Sequence, residues 1–560
     1  MRSLCVLALL GCAVPGCDAE VLPVACAGEM ECPPPSPLLS WAAELWPGLG
    51  GSGQRTADKA LVPQEEPTLV FGAGGMATLQ FRPPALLRGT IVDDAGEPIG
   101  RARVVATLPS AIPGQSAKRF EATTDPDGRF SLRLPVPAVP AMQPYHLWVG
   151  FDDTRAVDRP PLWQRELVVW GDMELTLRTK KLSQLAVVRG RIVDLFGAGV
   201  SGMRVQVLDS RREVVSSTAF SLEDPSHPDL QGTFRILVDP QLSQDSRLQL
   251  MAWPGPQGKD LPILSRPLSG LQPGSTHSVE LRLPAYRRPL PFTILVRGTG
   301  TSGAALPVPG ARVWAQVLLE TGEQTATYIA VGDTDAQGQV SLSLVPATTL
   351  NLQYTLTVQS PPGSPLGSAV LPLLVGREGG FVAVALPLRT QLSGRLVSAE
   401  GEPVAGAQIL ARNISQEGQA TSLVGRALLE AVMPQTMTGP DGRFALRLDQ
   451  GDYDLDIIPP PGVQPRHTLR NQRVLTDDTE LGYIRLPRPT LGRVQVLRPD
   501  GSPATDAILR VFELPDTTPR SGFACAELLP CSRQAALRAE VTTDSRGRSQ
   551  FLLPDVPSAR

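Results

Sequence analysis

An all-β chain, built as a tandem array of antiparallel β-sandwiches, is predicted by three observations. Apolar and polar residues alternate with a period of two in many short segments. Pro and Gly punctuate those segments from end to end. One pair of motifs recurs about every hundred residues, the spacing of a repeated domain. Alternation marks a strand, because successive side chains point to opposite faces and one face is buried. The 560 residues include 56 Pro and 52 Gly. Interior Pro breaks helices, so a helical bundle or coiled coil is excluded. Hydrophobic residues make up 42%, enough to fill several small cores, so a disordered chain is excluded as well.

Each element of the repeat has its own signal. The first motif is Gly and an alternating strand, then a turn and Pro-apolar-x-Gly-Ala-x-apolar. Its copies are Gly89 to Val92 with Gly96 to Val104, Gly190 to Val193 with Gly199 to Val205, Gly394 to Val397 with Gly401 to Ile409, and Gly492 to Val496 with Asp500 to Ile508. A degenerate copy runs from Phe292 to Val296 and from Pro307 to Val313. The second motif, Thr-Asp-x-x-Gly-Arg-Phe-x-Leu-x-Leu, follows each first one. It occupies Thr124 to Leu134, Gln231 to Ile236, Thr334 to Leu344, Thr438 to Leu448 and Thr543 to Leu553. Asp and Gly between alternating strands predict a hairpin: Gly takes a positive φ and Asp bonds to nearby backbone. A third strand is read at Tyr145 to Val149, Leu248 to Leu250, Tyr354 to Val358 and Tyr453 to Ile457. A fourth closes each unit at Leu175 to Leu177, Val279 to Leu283, Val382 to Leu386 and Ile484 to Leu486. Several short antiparallel strands in about a hundred residues read as a two-sheet sandwich.

These motifs resemble the carboxypeptidase regulatory-like domain, a transthyretin-like, Ig-like sandwich. The resemblance covers residues 83–560. It implies sandwiches at 83–182, 183–285, 286–388 (degenerate), 389–488 and a partial fifth at 489–560. In that family such domains are spacers, appendages and surface modules, so the resemblance implies fold far more sharply than activity. Four full units and one partial unit are expected to make a rod on the order of 150 Å, from typical strand lengths.

Both ends depart from the repeat. The fifth copy has no counterpart of the Tyr453 strand or of the Ile484 strand. Ala77 to Phe81 looks like a closing strand with no domain before it. An unfinished sandwich leaves strand edge and apolar face open. Three readings follow: a degenerate terminal repeat, a boundary drawn one strand off, or completion of one molecule's last sandwich by another molecule's N-terminal strand. Residues 18–82 read as a Pro/Gly-rich stalk, with a short helix over Leu38 to Trp46 that brings Trp41 and Trp46 together against lipid or the first sandwich.

Residues 1–17 read as an export signal: a short basic start, an apolar run over Leu4 to Leu10, then small residues. The segment resembles a bacterial lipoprotein signal, in which a Cys after a small residue is lipidated. That implies lipidation at Cys17 or Cys12 and a cell-envelope address, on the outer membrane or cell surface. The alternative is a plain secretory signal. Cys26, Cys32, Cys525 and Cys531 form two pairs of the same spacing, and in an exported chain local disulfides are expected of them.

Little in the chain points to catalysis. His146, His227, His277 and His467 fall in different repeats, and no nucleophile elbow, zinc-protease helix or phosphate loop is present. No enzyme, cofactor or metal is expected. The acidic turns at Asp125, Asp127 and Asp441 offer too few oxygens for calcium. Pilin-type domains, which the fold also resembles, join Lys to Asn. The chain has only Asn351, Asn413 and Asn471, and no repeat pairs one with a Lys, so that bond is not expected. The net charge of -3 and the lack of a basic patch exclude nucleic acid as a partner. Trp148, Trp163 and Trp170 are candidate glycan contacts, with core packing as the competing role. The chain therefore reads as a non-enzymatic spacer, adhesion or binding scaffold, held to a membrane by a lipid and facing polysaccharide or surface proteins. A carbohydrate-binding array and an accessory subunit of a secreted hydrolase are the alternatives.

Overall fold

The computed structural model describes residues 41–48, 61–71, 76–139, 143–151, 158–224, 226–243, 247–255, 261–284, 289–299, 305–346, 353–361, 363–376, 378–414, 433–514 and 534–554. These residues form strands, joined by turns and two short 3-10 turns. Sandwich 1 sets the pattern. One sheet has three strands: Ala85–Val92 lies at its centre, antiparallel to Arg129–Leu134 and parallel to Met173–Arg178. The facing sheet has four, in the order Lys118–Thr123, Arg103–Leu108, Tyr145–Gly150, Leu162–Leu167. Sandwich 2 is centred on Ala186–Val193 and sandwich 4 on Thr390–Val397, each with a parallel closing strand from the end of its own repeat. Sandwich 3 is centred on Leu290–Thr299 and closed in the same way by Gly380–Leu386.

The two motifs recur because they touch. Thr124 Oγ1 donates to the Ile99 carbonyl and accepts from the Ala102 N–H, both at 2.8 Å. Thr334, Thr438 and Thr543 make the same two bonds in sandwiches 3, 4 and 5. The Thr of the second motif thus satisfies buried backbone groups at the Gly-Ala of the first, where an unpaired group would be costly. The leading Gly of the first motif lies under the Phe of the second. A Cβ at Gly89 would sit 2.3 Å from the Phe130 ring, and Gly190, Gly394 and Gly492 face Phe234, Phe444 and Phe551 likewise. In the degenerate third copy the pair is exchanged: Phe292 leads, and Gly380 of the closing strand makes room for it.

Sandwich 5 is completed from the other end of the chain. Its four-stranded sheet runs Gln64–Leu69, Trp41–Trp46, Ile508–Glu513, Ala536–Thr542, and its three-stranded sheet runs Met76–Gln80, Pro489–Leu497, Arg548–Pro554. Trp46 pairs with Ile508 and Trp41 with Glu513, which puts Trp41 at the register position of Tyr145 and Tyr453 in sandwiches 1 and 4. Met76–Gln80 runs parallel to Pro489–Leu497, as the closing strand does in the other sandwiches. One core joins the two ends, with Trp41, Ala43, Leu45, Leu79 and Phe81 packed against Val494, Leu509, Val511 and Phe551.

Several expectations are corrected by this arrangement. The described parts of the 18–82 stalk are strands, and Trp41–Trp46 is a β-strand where a helix was expected over Leu38 to Trp46. Partnering decides it: both edges of Trp41–Trp46 find strands, and five of its six residues are buried. The fifth sandwich is whole, completed by strands of the same chain.

Candidate functional site at the closure of the array

Five junctions link the five sandwiches in a circuit. Between 1 and 2, Arg165 Nη2 meets Asp209 Oδ2 at 2.5 Å, and Trp163 Nε1 donates to the Val214 carbonyl at 3.1 Å. Between 2 and 3, strands Ile263–Leu268 and Gln324–Asp333 pair antiparallel, fusing two sheets into one of eight strands. Between 3 and 4, Ser368 Oγ donates to Asp449 Oδ2 at 2.9 Å. Between 4 and 5, Arg538 Nη1 reaches Thr468 Oγ1 at 3.4 Å, and Arg470 Nη2 reaches the Gln534 carbonyl at 3.3 Å.

The junction of sandwiches 5 and 1 closes the circuit and holds a cluster of three buried charges. Lys118 Nζ lies 2.5 Å from Glu65 Oε1 and 2.9 Å from Glu44 Oε1. The three side chains are 8%, 5% and 8% exposed. Glu65 Oε1 also accepts from Ser110 Oγ at 2.8 Å, and Oε2 accepts from the Ala111 N–H at 2.7 Å. Arg82 adds bonds to Glu66 Oε2 and to the Glu65 and Val136 carbonyls, each at 2.9 Å. Ala42, Ile112, Phe512 and Ala535 form an apolar cluster across the same junction. A buried ion cluster with one partner removed destabilises strongly, so its geometry fixes how the donor segment sits on sandwich 1.

The four His stay apart. His146, on Tyr145–Gly150, is held below its usual pKa by burial, by Arg211 across the 1–2 junction and by Arg165 of its own sandwich. His467 is driven down to about 4, mainly by burial and then by Arg538 at the 4–5 junction. His227 pairs with Asp224 at 3.0 Å on the surface, and His277 lies beside Ser275 Oγ at 3.1 Å. Among the described residues, no group of three His, Cys, Asp or Glu is placed to hold a metal. Asp125 Oδ1 accepts from the Arg129 N–H at 2.8 Å inside its own hairpin, and Asp441 Oδ1 from the Arg443 N–H at 3.1 Å.

The three Trp are not one platform. Trp148 and Trp163 are cross-strand partners, and Trp163 is engaged by Val214 and by the Arg165 guanidinium 5.7 Å above its ring. Trp170 lies beyond that strand pair and is 69% exposed. Cys12, Cys17, Cys26, Cys32, Cys525 and Cys531 lie outside the described residues. Of the cavities, a groove of about 470 Å³ beside the 2–3 junction is lined by Arg266, Arg282, Glu280 and Glu323. Its charges are satisfied locally, Arg266 by Glu323 at 3.3 Å and Arg282 by Glu280 at 2.7 Å. Among the described residues no helix is long and apolar enough to cross a membrane.

No family model matches the chain, and no curated protein does. Among solved structures, it is similar to the minor pilin GBS52 of Streptococcus agalactiae, at 13% identity and TM-score 0.21, over 36% of this chain and 98% of that one. The Bacillus anthracis TIE protein aligns at 10% identity and TM-score 0.16, over 70% of this chain and 69% of that one. Shaft pilin SpaA of Lactobacillus rhamnosus GG aligns at 13% identity and TM-score 0.18, over 36% and 97%.

The closure residues Lys118, Glu44 and Glu65 escape sequence reasoning. Lys118 is one of five Lys in the chain, which marks it as unusual but names no partner. Glu44 sits within Trp-Ala-Ala-Glu-Leu-Trp, an acid flanked by apolar residues, and that context is the one available hint of burial.

Proposed function

We propose that the chain is a non-enzymatic scaffold of a cell envelope, exported and held to a membrane by a lipid at Cys17 or Cys12. The observation that carries this reading is the completion of sandwich 5 by residues 41–81. The segment that leads out of the N-terminal region is itself structural, woven into the array through a continuous core. An anchor at that end would load a closed set of five sandwiches rather than a dangling stalk. Lipoprotein modification supplies more than one acyl chain, which stable anchoring requires.

The test is the intact mass of protein extracted from membranes. A mass beginning at Cys12 or Cys17 and carrying acyl groups is expected. An unmodified mass beginning near Glu20 would make the chain a secreted protein and end the anchored reading. Polysaccharide remains the partner class with a surface feature behind it, now centred on Trp170. Loss of glycan retention on Trp170→Ala, with retention unchanged on Trp148→Ala, would favour that partner over a purely mechanical role.

A further inference from the structure

We propose that the outer face of the three-stranded sheet of sandwich 4 binds an acidic polysaccharide, with Tyr483 as the stacking ring and Arg395, Arg443 and Arg485 as the anion contacts. The site is a row across three strands. Arg395, on the central strand, lies opposite Arg443 on one side and opposite Tyr483, of the closing strand Thr479–Arg485, on the other. Neighbouring strands are about 4.8 Å apart, so the row is about 10 Å wide. The Arg395 guanidinium sits 5.6 Å from the centre of the Tyr483 ring, and its Nη1 donates to Tyr483 Oη at 3.5 Å. One face of the ring is covered in this way, yet the residue stays 71% exposed. Arg485, two positions along the same strand, is exposed on the same face.

The row is unlike its counterparts in the other repeats. The closing strand of sandwich 4 is bulged where it passes Ser393 and Arg395, with Gly482 at φ 66°. The closing strands of the other four sandwiches pair without a shift. A bulge re-aims a side chain. This one lets Leu481 and Ile484 both pack on the core while Tyr483 turns to water. At the same register position the other sandwiches carry Thr176, Glu280, Ala383 and Met76. In sandwich 2 the acid Glu280 faces Arg191. In sandwich 4 a ring stands in that place, and two Arg lie directly opposite one another. Like charges so placed cost a sheet stability, and a bound anion removes that cost. Asp441 lies 3.5 Å from Arg443 Nε, with both side chains exposed, a pair that contributes little in water. Glu480 shares the face beside Ser393. Among the described residues, Arg395 and Arg485 have no ion pair. The ligand chemistry follows from these parts. The apolar face of a sugar ring stacks on an aromatic ring, and a guanidinium takes a carboxylate or sulfate in two parallel hydrogen bonds. Single-stranded nucleic acid would use the same stacking and charge, and the choice of polysaccharide over it rests on the exported reading above.

The experiment measures binding of the full-length purified protein to immobilised alginate, dextran sulfate and neutral dextran at low salt. Binding to at least one of the two acidic polymers, and not to neutral dextran, is expected. Tyr483→Ala should weaken it about tenfold, the scale of one lost stacking contact, and Tyr483→Phe should retain it. Arg443→Ala should weaken it as well. Arg129→Ala is the control: it occupies the same motif position in sandwich 1, in a row of Thr176, Thr90 and Arg129 that has no ring, and should leave binding unchanged. These side chains are exposed, so each variant should melt as the wild type does. Undiminished binding by Tyr483→Ala, or equal losses for Arg129→Ala and Arg443→Ala, would reduce the effect to diffuse charge and overturn the site. Failure to bind either acidic polymer would overturn it too. Tighter, Tyr483-dependent binding to oligothymidylate or to phosphatidylglycerol vesicles would overturn the polysaccharide assignment. The intact mass of the extracted protein tests export separately, so failure of that reading and failure of this site are distinguishable.

Discussion

Sandwiches 4 and 5 share one plan and reach it by different routes. In sandwich 4 the strand carrying Tyr453 and the closing strand Thr479–Arg485 follow their partners within the same repeat. In sandwich 5 the equivalents, Trp41–Trp46 and Met76–Gln80, precede their partners by more than four hundred residues, with four sandwiches between. Register, parallel closing strand and buried Thr are the same in both. Folding of a repeat therefore requires its strands to be present, not to be adjacent. What adjacency changes is entropy. Sandwich 4 closes short loops, whereas sandwich 5 closes a very long one, a cost that grows only slowly with length. Its contacts are the most non-local in the molecule and are expected to form last.

The sharpest way to break the comparison is to remove residues 41–81. Sandwich 5 then loses three of its seven strands, and limited proteolysis should degrade 489–554 while sandwiches 1 to 4 stay resistant. An equally resistant 489–554 would show that the C-terminal half stands alone. Trp41→Ala is the gentler version. Trp41 is 4% exposed and packs edge-on to Phe71 at 6.3 Å, so the loss should be about 3–5 kcal/mol. Hydrogen exchange should rise in Ile508–Glu513 and not in Gln408–Asn413. Tyr453→Ala should reverse that pattern.

Acid separates the two sandwiches at their own junction. His467 has its pKa lowered from 6.5 to about 4 in the folded state. Between those values the unfolded chain binds more protons than the folded one, so stability falls as pH drops from about 6.5 towards 4. The full effect is about 3 kcal/mol, at roughly 1.4 kcal/mol per pKa unit. The groups facing His467 from sandwich 5 are Arg538 and Glu513, and Glu513 is bonded to Arg538 at 2.6 Å. His467→Gln should flatten this part of the pH profile in thermal melts. An unchanged profile would place the acid sensitivity elsewhere.

How much of this was legible in the sequence follows from which contacts are local. The hairpins, the Gly under Phe and the Thr beside Gly-Ala arise within one repeat, so their residues recur at fixed spacing and the sandwiches can be read directly. Nothing local links Ala77 to Val494. The missing strands at one end and the orphan strand at the other were both visible, but a sequence cannot say whether such halves meet within one molecule or between two. Loop closure within one chain supplies a high effective concentration, which favours the same molecule. Trp41–Trp46 reads as helix in the sequence because Ala and Leu favour helices when packing does not intervene. Strand partners on both edges override that preference. Residue type alone singles out the three Trp, whereas a glycan needs a face left open, and neighbours close Trp163.

Two smaller effects test whether the repeats are energetically equivalent. Thr438→Val and Thr543→Val each leave a buried carbonyl and a buried N–H without their partner. The expected loss is about 1–3 kcal/mol in each case. If the long loop behind sandwich 5 matters only to folding rate, the two equilibrium losses should agree within experimental error. A markedly larger loss for Thr543→Val in chemical denaturation would mean that the split sandwich has less cooperative support than its neighbour. Trp170→Ala supplies the baseline. Its ring is mostly in water, so the change in stability should stay within about 0.5 kcal/mol. A loss of a kcal/mol or more would show that Trp170 is covered by something in the native protein, and its exposure in the array would then mark a contact surface.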